Sequence, residues 1–207
     1  MSPAAFESVG VQRRTRLCVV GSVNVDRFFT VEALPAPGET VLAAGGTTAP
    51  GGKGGNQAIA AARAGADVQF VGAVGADSAG AGLRRHLMDN GVGVDGLEEL
   101  PVPSGNAVIM VDSAGENLIV VAPGANGHLT LASAAARSVI ADCDVLLLQL
   151  EIPIATAVAA AREARSVGAT VIVNASPASP DGTGLAELAA VTDVVEVNEA
   201  EESHWRH

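Results

Sequence analysis

The sequence predicts an α/β fold: a doubly wound, mostly parallel sheet with a small inserted β lid. Short apolar runs bounded by turn residues, Leu17–Gly21, Val68–Val74, Asp144–Leu150, Thr170–Asn174 and Asp193–Val197, read as strands buried on both faces. Ala-rich stretches of helical length, Asn56–Ala64, Ser78–Asn90, Leu129–Ala141, Pro153–Val167 and Leu185–Ala190, alternate with them as βαβ units do. Pro153 suits a first helical turn and Gly168 a helical stop. Two segments break the rhythm. Thr40–Ala44 is strand-like after the turn Pro35–Gly38, and Asn106–Asp112 with Asn117–Ala122 reads as a hairpin around Ser113–Glu116. Antiparallel pieces of this kind form a separate small sheet, here expected near residues 27–48 and 104–122, such as a lid over a site.

Composition narrows the classes. With 48% apolar residues in 207, the chain can build a continuous core, and with 2% aromatics and no Tyr that core must consist mainly of Ala, Val, Leu and Ile. Residues 1–16 are expected to be a flexible tail and 17–207 the α/β domain. A net charge of −11 argues against nucleic acid or an anionic membrane as partner. It leaves a nucleotide substrate open, because nucleotide sites work through local amides and cations. Cys18 and Cys143 lie inside apolar runs without CxxC spacing or a nearby His, so they read as buried thiols. No apolar run approaches the roughly 18 residues of a membrane span, and the expected location is the cytoplasm.

Chemistry concentrates at Gly51-Gly52-Lys53-Gly54-Gly55-Asn56-Gln57-Ala58, directly before an Ala-rich helix. Glycines let a backbone approach a ligand closely, and the N–H groups of a helix start are donors. The segment reads as a cradle for a polar ligand, with a flexible glycine turn as the alternative. It is not a Walker A loop, since Thr47 and Gly54 stand where that motif needs Gly and Ser or Thr, and the first strand does not open into G-x-G-x-x-G. Asn24 and Asp26 are spaced to share one side of an extended backbone, as hydroxyl-binding groups or as turn formers. Glu151, Asn174 and Asn198-Glu199-Ala200-Glu201 follow later strands, so polar groups at several carboxyl ends are expected to converge on one crevice.

These motifs resemble the carbohydrate kinases that include ribokinase. The glycine segment is similar to that family's first signature, and the likeness runs from about Leu17 to Glu202 through Gly21–Asp26, Pro37–Thr40, Pro123–Asn126, Gln149–Glu151 and Asn198–Glu201. The resemblance implies that Asn24, Asp26, Gly52, Lys53, Asn56 and Glu151 bind sugar hydroxyls. It implies ATP as phosphoryl donor to the 5-hydroxyl of D-ribose, giving D-ribose 5-phosphate. Mg2+ is implied near the N-x-x-E residues Asn198 and Glu201, and a monovalent cation is compatible with the family. It also implies that Asn106–Ala122 belongs to a lid that closes over sugar and makes a homodimer contact.

The sequence departs from the family in lacking the D-T-x-G-A-G-D motif, whose final Asp is the family's catalytic base and whose glycines form its anion hole. Asp181-Gly182-Thr183-Gly184 precedes the N-x-x-E motif, lacks the final Asp and reads as a loop. The chain is therefore expected to be a C-terminally incomplete, inactive form of such a kinase. The alternatives are a non-catalytic sugar-binding or dimerisation remnant, and a kinase of the same family acting on deoxyribose, adenosine or another sugar.

Overall fold

The computed structural model describes residues 14–177 and 183–199. In chain order the strands are β1 (Arg16–Val20), β2 (Asn24–Thr30), β3 (Gly45–Gly51), β4 (Asp67–Gly75), β5 (Gly93–Leu100), β6 (Gly105–Val111), β7 (Asn117–Ala122), β8 (Val145–Gln149), β9 (Thr170–Asn174) and β10 (Val194–Glu196). The helices are α1 (Lys53–Arg63), α2 (Ser78–Asp89), α3 (Ala134–Ala141), α4 (Ile154–Ser166) and α5 (Leu185–Ala189), with a 3-10 turn at Gly124–His128. Six strands form one parallel sheet in the order β10-β9-β8-β1-β4-β5, and four form a second sheet in the order β3-β2-β6-β7. The doubly wound, mostly parallel architecture expected from the sequence is present.

The central strands β1, β4 and β8 of the large sheet feed two cores because their side chains alternate. Cys18 and Val20 of β1 join Leu146, Leu148, Val171 and Val173 beneath the helices α3, α4 and α5. Val19 faces the other way and joins Phe70, Val68, Leu83 and Leu87 beneath α1 and α2. Helix α4 buries Ala157, Ala160, Ala161 and Ala164, so small side chains let it lie close to β8 and β9. Few aromatics are needed in such a core. Cys18 and Cys143 are free and buried, and burial pushes the Cys143 thiol to about 11 and that of Cys18 up as well. Both are neutral thiols at pH 7.

Several boundaries differ from expectation. Thr40–Ala44 is not a strand; Leu42 is 92% exposed there, and the pairing strand is Gly45–Gly51. Strand β5 was not anticipated. Arg16, expected in the tail, opens β1 and pairs with Asp142 and Asp144, the latter through Nη2 at 2.9 Å. Residues 1–13 lie outside the described residues. Helix α3 starts at Ala134, where Ser133 caps it by accepting from the Ala136 N–H, rather than at Leu129.

The second sheet joins the first through short crossings, and one of them is tied down by Asp77. This residue caps α2 by accepting from Gly80 N at 2.7 Å, and it also accepts from Ser104 N at 2.9 Å and Ser104 Oγ at 2.7 Å. Gly75 N in turn donates to Ser104 Oγ at 2.9 Å. These bonds hold the Asp77 carboxyl below the usual carboxylate range. Asp77→Ala should therefore cost about 1–2 kcal/mol from loss of the cap alone, read as a lower thermal midpoint. Ser104→Ala, which leaves the cap in place, should cost less.

Candidate functional site

Strand β1 ends at Val20, and after Gly21–Val23 the chain re-enters as β2 in the second sheet. Asn24 and Asp26 are alternate residues of β2 and so share one face. Asp26 pairs in register with Ala49 of β3 and Ala107 of β6, and Asn24 with Gly51 and Gly105. Small partners leave room for these polar side chains. A Cβ on Gly51 would sit 2.0 Å from Asp26 Oδ2, so the carboxylate rests directly against backbone that only glycine leaves open.

The glycine segment is helix rather than loop. Helix α1 begins at Lys53, ahead of the expected Asn56, so Lys53, Gly54 and Gly55 are its first turn. Gly52 is the N-cap with φ 88°, and a Cβ there would lie 2.7 Å from Val23 Cα. Both facts require glycine. A Cβ on Gly54 would meet Ser22 N and O at 2.8 Å, so the helix start lies flat on the Gly21–Val23 link.

Gly52 has no side chain to accept from the first helical N–H groups, and α1 has no acidic residue in its first turn. Glu151, just beyond β8, supplies both functions. Its Oε2 accepts from Lys53 N at 3.2 Å and from Ser22 Oγ. A carboxylate there is favoured by the helix dipole, whereas Lys53 at the first position runs against it. The amides expected to point outward are thus partly occupied: Lys53 N serves Glu151, and Gly55 N donates to Ser22 O at 2.9 Å. Lys53 is half-buried and Asn56 exposed.

Asp26 faces this arrangement. Its Oδ1 is buried without a hydrogen-bond partner, and burial first, the neighbouring Glu151 charge second, hold its pKa above the ordinary value. Beneath the site Gln149 Nε2 donates to Gln57 Oε1 at 2.5 Å, and a Cβ on Gly21 would lie 1.8 Å from Gln149 Oε1. Asn126, in the 3-10 turn after β7, is 1% exposed and bonds Val23 and Asn24. Ser22, Gln57, Gln149 and Asn126 were not anticipated as site residues. All four lie inside the motifs named above, but their role is to hold other side chains, which spacing does not reveal.

The expected convergence is partial. Asp26, Glu151, Lys53 and the Gly52 backbone gather at one place. Asn174 instead donates to Glu196 Oε2 at 3.2 Å, and Asn198 follows β10. Glu201 lies outside the described residues. Among the described residues no group of three or more acidic, His and Cys side chains is arranged to hold a metal ion. A separate cleft of about 270 Å³, lined by Arg16, Cys18, Asp67, Asp95, Asp142 and Cys143 among others, opens at the amino ends of the strands, away from these groups.

Carboxylates, a lysine and amides gather outside the carboxyl ends of parallel strands, the place where open α/β sheets bind ligands. The chain belongs to the pfkB family of carbohydrate kinases, whose model, described as "pfkB family carbohydrate kinase", matches residues 14–207. It is 37% identical over 190 residues to a ribokinase of Haemophilus influenzae, covering 91% of this chain and 61% of that protein. It is 41% identical over 165 residues to a ribokinase of Bacillus subtilis, covering 79% and 56%. The structure of Arabidopsis thaliana ribokinase complexed with ribose and ATP superposes with a TM-score of 0.81 at 33% identity, covering 93% of this chain and 63% of that one. The chain thus spans 56–61% of the length of the two bacterial relatives.

The raised Asp26 pKa has a defined sign. Its protonated form is favoured by folding, so the ionisation cost is absent below the ordinary value of about 4 and complete above the raised folded value. Asp26→Asn should therefore have a higher thermal midpoint than the parent at pH 7, with the difference closing as the pH falls to about 4. In Glu151→Gln, a carboxyl-carbon NMR titration should find the Asp26 pKa lowered but still above the ordinary value, because burial is the larger cause.

Proposed function

We propose that the whole protein is an ATP-dependent sugar kinase that phosphorylates D-ribose on its 5-hydroxyl to give D-ribose 5-phosphate, and that these residues form its sugar-binding half. The observation that carries this reading is the buried, unpartnered Asp26 Oδ1 beside the α1 start. A sugar hydroxyl donates the hydrogen bond that this oxygen lacks, and unlike an anion it does not repel Asp26 and Glu151. The ribokinase relatives and the ribose and ATP complex support the same choice.

In this reading Asn24, Asp26, Gly52, Lys53, Asn56 and Glu151 hold the sugar, and the sheet β3-β2-β6-β7 is the lid. Phe28, Phe29, Ile119, Val120 and Val121 are exposed on that sheet, which supports a homodimer formed through it. Asn198 and Glu201 are the candidates for the nucleotide edge and Mg2+. No base for the sugar hydroxyl is assigned within this sequence, which lacks D-T-x-G-A-G-D. No helix among the described residues is long and apolar enough to cross a membrane, and a cytoplasmic location belongs to the same proposal.

Calorimetric titration of the 207-residue chain with D-ribose should give saturable binding, weakened on the order of tenfold or more by Asp26→Ala. A chain that is folded by circular dichroism yet takes up no ribose would overturn the sugar-binding reading. Competition by deoxyribose and adenosine sets the substrate. Binding should also weaken as pH falls through the raised Asp26 pKa, since the protonated carboxyl loses an acceptor.

A further inference from the structure

Asn126 makes three hydrogen bonds in a buried setting: its Oδ1 accepts from Val23 N at 3.1 Å, and its Nδ2 donates to Val23 O at 3.1 Å and to Asn24 Oδ1 at 2.8 Å. Matching both the N–H and the C=O of Val23 fixes which way the Asn126 amide points, because a flipped amide would set donor against donor and acceptor against acceptor. The second Nδ2 proton is then committed to Asn24. Asn24, itself 2% exposed, must turn its oxygen toward Asn126, which leaves its own Nδ2 as the group presented elsewhere.

The surroundings enforce that arrangement. A Cβ on Gly105 would lie 2.2 Å from both Asn126 Nδ2 and Asn24 Oδ1, so the two amides fill the space a side chain on β6 would take. Asn126 is carried by the 3-10 turn that receives the chain from β7, Asn24 opens β2, and Gly105 opens β6. Three crossings between the two sheets therefore meet at this pair of amides.

We infer that Asn126 is a positioning residue: it locks the Asn24 carboxamide with its nitrogen toward the Asp26 face, so that β2 offers a ligand one donor and one acceptor, two residues apart. This rests on the sugar-binding reading above and adds the polarity of the site. A ligand hydroxyl is met by the Asn24 N–H as acceptor and by Asp26 as donor, without either side chain having to reorient. Asn126 touches no ligand; it acts through Asn24.

The amide signals of the ligand-free chain test the lock without sugar. The Asn126 side-chain protons should exchange with water at least about tenfold more slowly than those of Asn56, an exposed asparagine. Equal rates overturn the inference. For ligand positioning, Asn126→Ala should weaken D-ribose binding on the order of tenfold, and in an Asn24→Ala background the same change should weaken it less than about threefold. A purely structural role predicts equal losses in both backgrounds, and equal losses, or unchanged affinity in a folded Asn126→Ala, overturn the inference. If the parent chain binds no ribose, the functional reading falls and the exchange rates alone decide the lock.

Discussion

Glu151 caps a helix to which it does not belong, and most of the site follows from that one contact. Helix α1 starts on glycine with a lysine in its first turn, so its local sequence provides neither a capping side chain nor a favourable charge. The carboxylate that compensates arrives from the end of β8, held by Lys53 N and Ser22 Oγ. It can reach only because β8 lies beside β1 in the parallel sheet. Folding the large sheet and starting α1 are thus coupled events, and the place where they meet is where the polar groups gather.

The glycines serve this same geometry. Gly21, Gly52 and Gly54 bring the α1 start, the β1–β2 link and Gln149 to within distances that any Cβ would violate. Flexibility is not their role here, since backbone and side-chain atoms close in on each of them. The second sheet is fastened just as closely at its base, by Asp77 with Ser104 and by Asn126 with Asn24. Further along its strands, Phe28, Ile119 and Val120 are exposed and give it an apolar surface.

How much of this the sequence revealed depended on whether a segment's own chemistry agreed with its structure. Strands such as Val145–Gln149 and helices such as α4 were legible because burial on both faces demands continuous apolar or Ala-rich runs. Strand β5 was missed because Gly93–Leu100 contains two glycines and three acids, a composition tolerable at the edge of the sheet. Strand β3, GGTTAPG, has poor strand propensity and exists by its register with β2, while the more apolar Thr40–Ala44 forms no strand, although Ala44 N donates to Thr30 O of β2 at 2.8 Å. Asn24, Asp26 and Glu151 stood out as polar residues after strands. Asn126 and Ser22 did not, because they act across long sequence separations through bonds that no local pattern announces.

The fold leaves an uncompensated cost at Asp26. Four groups around it, Ser22, Lys53 N, Asn24 and Asn126, have found partners within the protein, yet a carboxylate oxygen stays buried without one. Glu151, which stabilises the helix, adds to the difficulty by repelling the Asp26 charge. A core selected for stability alone would place a neutral residue there. Retaining the acid makes sense if a ligand donor completes it, and the donor must be neutral or positive and small enough to reach the floor formed by Gly51 and Gly52. A hydroxyl meets those conditions, and a row of hydroxyls meets them repeatedly along β2. The unsatisfied oxygen is therefore where fold energetics and ligand chemistry make the same demand.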